Sequence, residues 1–212
     1  MTENDYRLAT KEKENTQMKL YHALATFRRD LRIRTGTTLI LAVSLAVLIV
    51  PARAWNLKAD VKLYNTTGNQ VGKVRLTQEG SGNVAVHAHV HDLPPGFHGF
   101  HVHAVGVCTP PFTTAGGHFD VDGHTHKDHS GDFPVLLVNA DGTANAKFNT
   151  DRFAVADLFD ADGSAIIIHA SPDNYANIPT RYVAAPDETT LATGDSGARI
   201  ACGVVEKVVD KE

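Results

Sequence analysis

The chain has 212 residues, 42% of them apolar and 21% charged, with a formal net charge of −4 and two cysteines. These values exclude a disordered, collagenous or all-membrane protein and a disulfide-dense scaffold, and they suit one ordered domain. Twelve histidines beside a single tryptophan are the count that asks for an explanation.

Charge is divided unevenly along the chain. Residues 1–54 hold nine Lys/Arg and five Asp/Glu, a net +4, whereas residues 55–212 hold eleven and nineteen, a net −8. The boundary falls at a processing signal. Arg28, Arg29, Arg32 and Arg34 precede the apolar run Leu39–Val50, and Pro51-Ala52-Arg53-Ala54 follows it with an Ala-x-Ala pattern. The run would reach about 18 Å as a helix, short of the roughly 30 Å hydrocarbon core of a bilayer. It therefore predicts an export signal rather than a spanning helix. Met18 offers an internal start, Arg28-Arg29 lies well upstream of the apolar run for a twin-arginine signal, and no cysteine follows for a lipid anchor. Residues 1–54 are read as an N-terminal extension with a signal peptide, and residues 55–212, about 158 of them, as the working domain. The expected location is exported: periplasmic, secreted or cell-surface. Membrane contact is expected only through the signal segment if it stays uncleaved, and no nucleic-acid partner is expected.

Beyond Trp55, short runs of alternating polarity are broken by Gly, Pro, Asn and Asp every eight to twelve residues or so, which predicts an all-β antiparallel sandwich or barrel. Eight strands are expected: Lys58–Tyr64, Gln70–Gln78, Gly82–Val90, Gly99–His103, Leu136–Val138, Ala144–Phe148, Ala165–His169 and Ala201–Val205. Turns are expected at Thr67-Gly68-Asn69, Gly80-Ser81-Gly82 and Ala140-Asp141-Gly142. The stretches Ala104–Pro134 and Ala170–Arg199 carry no strand signal, and loops of that length in a compact domain are usually functional.

Ten of the twelve histidines lie between His87 and His129. In Gly99-Phe100-His101-Val102-His103, strand periodicity puts His101 and His103 side by side and turns Val102 inward. Two imidazoles on a stiff strand suit copper or zinc. The following loop adds His118, His124, His126, His129 and Asp132, and His169 ends the apolar run Ala165-Ile-Ile-Ile. His87, His89 and His91 share one strand face opposite the valines. They read as a solvated face, with weak collection of copper or zinc as the other reading.

At these residues the chain resembles the copper/zinc superoxide dismutase family. GFHGFHVH at Gly96–His103, AGGHFD at Ala115–Asp120, HASPD at His169–Asp173 and TGDSGARIACGVV at Thr193–Val205 carry the resemblance in order and spacing. It implies a Greek-key β-sandwich or barrel of about eight strands, with the metal site on the outside of the barrel under two long functional loops. It also implies copper on His101, His103, His118 and His169, and zinc on His118, His126, His129 and Asp132, with His124 the alternative to His126. The span from His118 to His129 is short for the family, which makes zinc the less secure metal. Asp173 matches the carboxylate that bonds ligand histidines of both metals, Cys108 and Cys202 match the family disulfide, and His98 matches a backbone-bonding position. Arg199 matches the arginine beside the copper channel, and Asp187 and Glu188 fall in the segment that steers anions.

The implied activity is dismutation of superoxide to dioxygen and hydrogen peroxide by copper redox cycling, with Arg199 docking the anion and His118 handling a proton, as a defence of the cell envelope. Two rivals stand beside it. A non-catalytic dismutase-like copper-binding or copper-delivery protein would have no use for Arg199, and a zinc hydrolase would need a general base, yet no Glu lies near the histidine cluster. Monomer and dimer both stay open.

Overall fold

The computed structural model describes residues 57–80 and 82–209. The expected signal segment, the boundary after residue 54, His22 and Ser81 lie outside the described residues.

Alternation decides the strands. In β1 (Lys58–Asn65), Ala59, Val61 and Leu63 are buried while the intervening residues face outward. The same logic gives β2 (Gln70–Glu79), β3 (Asn83–Val90), β5 (Phe100–His103), β6 (Leu136–Val138), β7 (Ala144–Thr150), β8 (Ala165–His169) and β9 (Arg199–Lys207), with a short β4 at Gly96–His98. All pairings are antiparallel, as expected from the alternating runs. Seven strands form one sheet in the order β5-β8-β9-β1-β2-β3-β7, and β4 pairs with β6 separately. The long return connections place β8 beside β5 and β9 beside β1, which is Greek-key wiring. Inward side chains from both sheets, including Leu63, Leu76, Val86, Phe100, Leu136 and Ile168, form one core.

Nine strands stand where eight were expected: the expected strand Gly99–His103 is β5, and the short β4 precedes it over residues for which no strand was expected. At Gly99 the chain leaves its pairing with β6 and begins to pair with β8. The Gly99 N–H donates to Ser171 O and its carbonyl accepts from His169 N–H, so the crossover is fastened on both sides. The second difference lies in the Ala170–Arg199 stretch, which contains a helix, α1 (Glu188–Thr193). Six residues are too few to show an amphipathic period. Asp187 starts this helix, its carboxylate accepting from the Thr190 N–H at 2.9 Å, so it is occupied as a cap.

The strand parity that fills the core also builds the opposite face. Phe100 and Val102 of β5 point inward, and so do Ile166 and Ile168 of β8. His101 and His103 therefore face outward, opposite Ile167 and Ala165 in the register of β5 with β8. The long loop Ala104–Pro134 covers this outer face, where Phe112 and Ala115 pack on Ala165, Ile167 and Cys202 in a second apolar cluster. The Cys108–Cys202 disulfide ties that loop to β9.

Candidate metal centre

Strand parity delivers three histidines to one place. His101 and His103 come from β5, and His169 ends β8 two residues beyond the outward Ile167. His118 arrives from the covering loop, which is pinned to β5 by the bridge His103↔His118. The ring centroids of His101 and His118 are 4.1 Å apart, and both the His103–His118 and the His101–His169 separations are 4.9 Å. His118 also belongs to a second group with His126, His129 and Asp132, and in each group the potential ligand atoms lie within 4.8 Å of one another.

Hydrogen bonds select the free nitrogen of each ring. A carbonyl or carboxylate oxygen only accepts from an imidazole, so the ring nitrogen facing it must donate. His101 Nε2 donates to Asp173 Oδ2 at 2.8 Å, His103 Nδ1 to Gly116 O at 3.0 Å and His169 Nδ1 to Gly197 O at 3.1 Å. That leaves His101 Nδ1, His103 Nε2 and His169 Nε2 with their lone pairs, and the last two face each other at 3.4 Å. His118 Nδ1 lies 2.7 Å from Asp132 Oδ1, within the second group, while its Nε2 is buried without a partner among the described residues. His101 Nδ1, His126 Nδ1 and His129 Nδ1 are likewise buried without a well-aligned hydrogen bond there, the last two lying 3.1 and 3.3 Å from Asp132 Oδ2. Buried polar atoms left unpaired are costly. Four such nitrogens converging on two points are what a pair of nitrogen-ligated cations would relieve, so this donor set fits copper in the first group and zinc in the second.

Asp173 couples the two groups. Its Oδ2 accepts from His101 and its Oδ1 from His126 Nε2 at 2.7 Å, with all three side chains fully buried. Gly194 allows this approach. It sits at φ 57°, and a Cβ there would collide with both Asp173 Oδ1 and His126 Nε2. Electrostatics divide the cluster. Burial first, and then the positive neighbours His118 and Arg199, push His103 well below the ordinary imidazole range. Burial brings His169 down to about 3, and brings His118 down to about 4 against the upward pull of Asp132. At His126 burial also works downward, but Asp132 and Asp173 outweigh it and raise the group to about 9. Burial would raise Asp132 and Asp173, yet hydrogen bonds from the histidines hold both carboxyls well below the usual range.

The remaining sequence candidates are placed as follows. Of the two mid-loop histidines, His126 is buried inside the second group, whereas the His124 side chain is 47% exposed and lies against Asp120. Arg199 donates from Nη1 to Phe112 O and from Nη2 to Gly116 O, both at 2.6 Å. Gly116 O also accepts from His103, so the guanidinium borders the first group. His98 turns its two ring nitrogens to Pro94 O and His169 O at 2.8 and 2.7 Å, a backbone-bonding position. Glu188 is exposed in the first turn of α1. Two contributors carried no sequence signal. Arg152 reaches from the loop after β7 to the carbonyls of Lys127 and His129, at 2.7 and 3.2 Å. The Leu191 carbonyl of α1 accepts from His126 N–H at 2.8 Å.

Residues 70–205 match the sequence profile of the copper/zinc superoxide dismutase family. The chain belongs to this family. A Cu-Zn superoxide dismutase of Mycobacterium tuberculosis is 49% identical over 130 residues, covering 53% of this chain and 54% of that protein. The chain thus spans about half the length of this mycobacterial relative. Cu-Zn superoxide dismutase 1 of Salmonella typhimurium is 34% identical over 188 residues, covering 80% of this chain and 98% of its own. Among solved structures, the Cu/Zn superoxide dismutase of Brucella abortus superposes with a TM-score of 0.57 at 30% identity, over 70% of this chain and 99% of that one.

Proposed function

We propose that this protein is an exported superoxide dismutase, holding copper on His101, His103, His118 and His169 and zinc on His118, His126, His129 and Asp132. The observation that carries the reading is one buried histidine, His118, shared by two four-donor groups, with a guanidinium fixed at the edge of the first. Membership of the family and the dismutases named above support it. Bound copper supplies the one-electron oxidation and reduction that turn two superoxide ions and two protons into dioxygen and hydrogen peroxide.

The chain's own residues do the rest. Arg199 keeps a permanent positive charge and, clamped by two carbonyls, presents it to a small anion with little loss of side-chain entropy. That local field opposes the net −8 of residues 55–212, which repels superoxide at long range. His118 holds and releases a proton at Nε2, and its Nδ1, 2.7 Å from Asp132 Oδ1, is the nitrogen that zinc would take beside that carboxylate. Asp173 and the carbonyls of Gly116 and Gly197 set the tautomers of His101, His103 and His169, so each offers a lone pair without reorganising. A copper carrier without catalysis has no use for a guanidinium held in this way.

Dismutase activity and metal content of the full chain, loaded with copper and zinc, test the proposal. It predicts one copper per chain and activity that disappears in His169→Ala. Copper below one equivalent after loading, or activity unchanged in that variant, contradicts it. N-terminal sequencing of the protein outside the cytoplasm tests export, with a start near Trp55 expected.

A further inference from the structure

The outer faces of β1, β2, β3 and β7 carry a second concentration of charge that the metal centre does not use. Antiparallel register stacks these side chains in rows across the strands. One row runs Lys62, Lys73, His89, and the next runs Arg75, His87, Lys147. All six are exposed and line one groove of about 350 Å³. Neighbouring strands lie about 4.8 Å apart and same-face residues about 6.7 Å apart along a strand, so the rows form a flat grid of donors at those spacings.

The grid is unbalanced. Lys62 and Lys73 stand directly opposite each other, and like charges so placed weaken a sheet. Asp60, the one carboxylate lining the groove, is already bound by Arg75 through two hydrogen bonds of 2.7 and 2.8 Å, and Glu206, opposite Asp60 on β9, flanks Lys62 only, so Lys73 and Lys147 have no carboxylate in the groove. Four of the eleven Lys/Arg of residues 55–212 gather here in a region whose net charge is −8. The flanking cations also decide what His87 and His89 do. They repel metal ions, and among the described residues neither histidine joins a metal-capable group. The imidazoles are hydrogen-bond donors within a cationic groove.

We infer that this groove binds a linear phosphate polyanion, a chain of phosphate groups long enough to cross both rows. Cations spread over a grid, rather than converging on one point, reward a ligand that repeats its charge. No Phe, Tyr or Trp lines the groove, so the large rings on which nucleobases stack best are missing, and the small imidazoles of His87 and His89 stand among cations. Its apolar lining, Val61, Val74 and Ala88, is buried beneath the charged side chains, so nothing is available to insert into a bilayer.

The test is site-resolved and uses the full chain. Lysine acetylation rates are measured by mass spectrometry with and without long-chain inorganic polyphosphate at low salt. The inference predicts at least fivefold slower labelling of Lys62, Lys73 and Lys147, with Lys127 and Lys207 unchanged. It also predicts that Lys62→Gln/Lys73→Gln/Lys147→Gln weakens polyphosphate binding at least tenfold while its melting temperature without ligand is equal or higher, since the opposed lysines are gone. Protection confined to residues 1–54, or equal protection by orthophosphate at the same phosphate concentration, overturns the inference. Stronger protection of the three lysines by single-stranded DNA or by anionic vesicles overturns it as well.

Discussion

The two halves of the metal centre are built differently. Three of the four histidines of the group proposed for copper sit on β5 and β8, where strand parity and the core behind them fix each side chain. The group proposed for zinc hangs on a loop, and its geometry is imposed from outside by Asp173, by the α1 carbonyl of Leu191 and by Arg152. A site on a sheet inherits the precision of the sheet, whereas a site on a loop needs a separate set of clamps. The two halves should therefore fail in different ways.

The largest effect is expected on the sheet. His103→Ala should abolish copper retention and drop dismutase activity to background while zinc stays bound, as measured by metal analysis and activity of the loaded full chain. The next largest concerns the tie between loop and sheet. Cys108→Ser/Cys202→Ser opens a closure spanning 94 positions, which should cost about 4.6 kcal/mol in the chain-entropy account, visible as a lower urea midpoint. The same loop carries the Phe112 and Gly116 carbonyls that hold Arg199, so activity should fall before the fold is lost.

A smaller and more selective effect is expected at the clamp. Arg152→Ala removes the donor to Lys127 O and His129 O and should weaken zinc about tenfold, in the range for residues that orient ligands, with copper affinity unchanged. Competition with a chelator measures both metals, and equal loss of the two would remove the distinction between the halves.

The smallest effect is a pH dependence of the metal-free protein with opposite signs in the two halves. His118 and His169 titrate at about 4 and 3 in the fold, below the ordinary 6.5, so an unfolded chain takes up their protons first. Their contribution is complete above pH 6.5 and is lost as pH falls from there toward 4 and 3. His126, raised to about 9, contributes fully below pH 6.5 and loses that contribution as pH rises through 9. Urea midpoints should therefore peak near pH 6.5, and His126→Gln should remove the alkaline limb while leaving the acid limb.

This contrast also explains what could be read from the sequence. His101-Val102-His103 sits on a strand whose period of two states which face each side chain takes, and His169 ends an apolar run, so the strand-borne set was legible in the sequence. Leu136–Val138 and the continuous apolar run Ala165–His169, buried on both faces, have the bounds expected. The loop has no period, so nothing local separates His124 from His126. That choice is made by Asp173, 47 residues after His126. Arg152 was illegible for the same reason, being joined to the loop by tertiary contacts alone. Gly194 lay inside a resembling segment, but its role is the space it leaves for Asp173 and His126, and a residue type alone does not report space. The strand Gly96–His98 was illegible because three residues are too few to show an alternation.

The claim on which the account rests is that His118 serves both metals. Copper and zinc titrations of the full chain, of His118→Ala and of His124→Ala examine it most directly. One equivalent of each metal in the unaltered chain, affinity for both lowered at least tenfold in His118→Ala, and no change in His124→Ala are the predicted results. Full retention of either metal in His118→Ala, or loss of zinc in His124→Ala, would contradict the shared site.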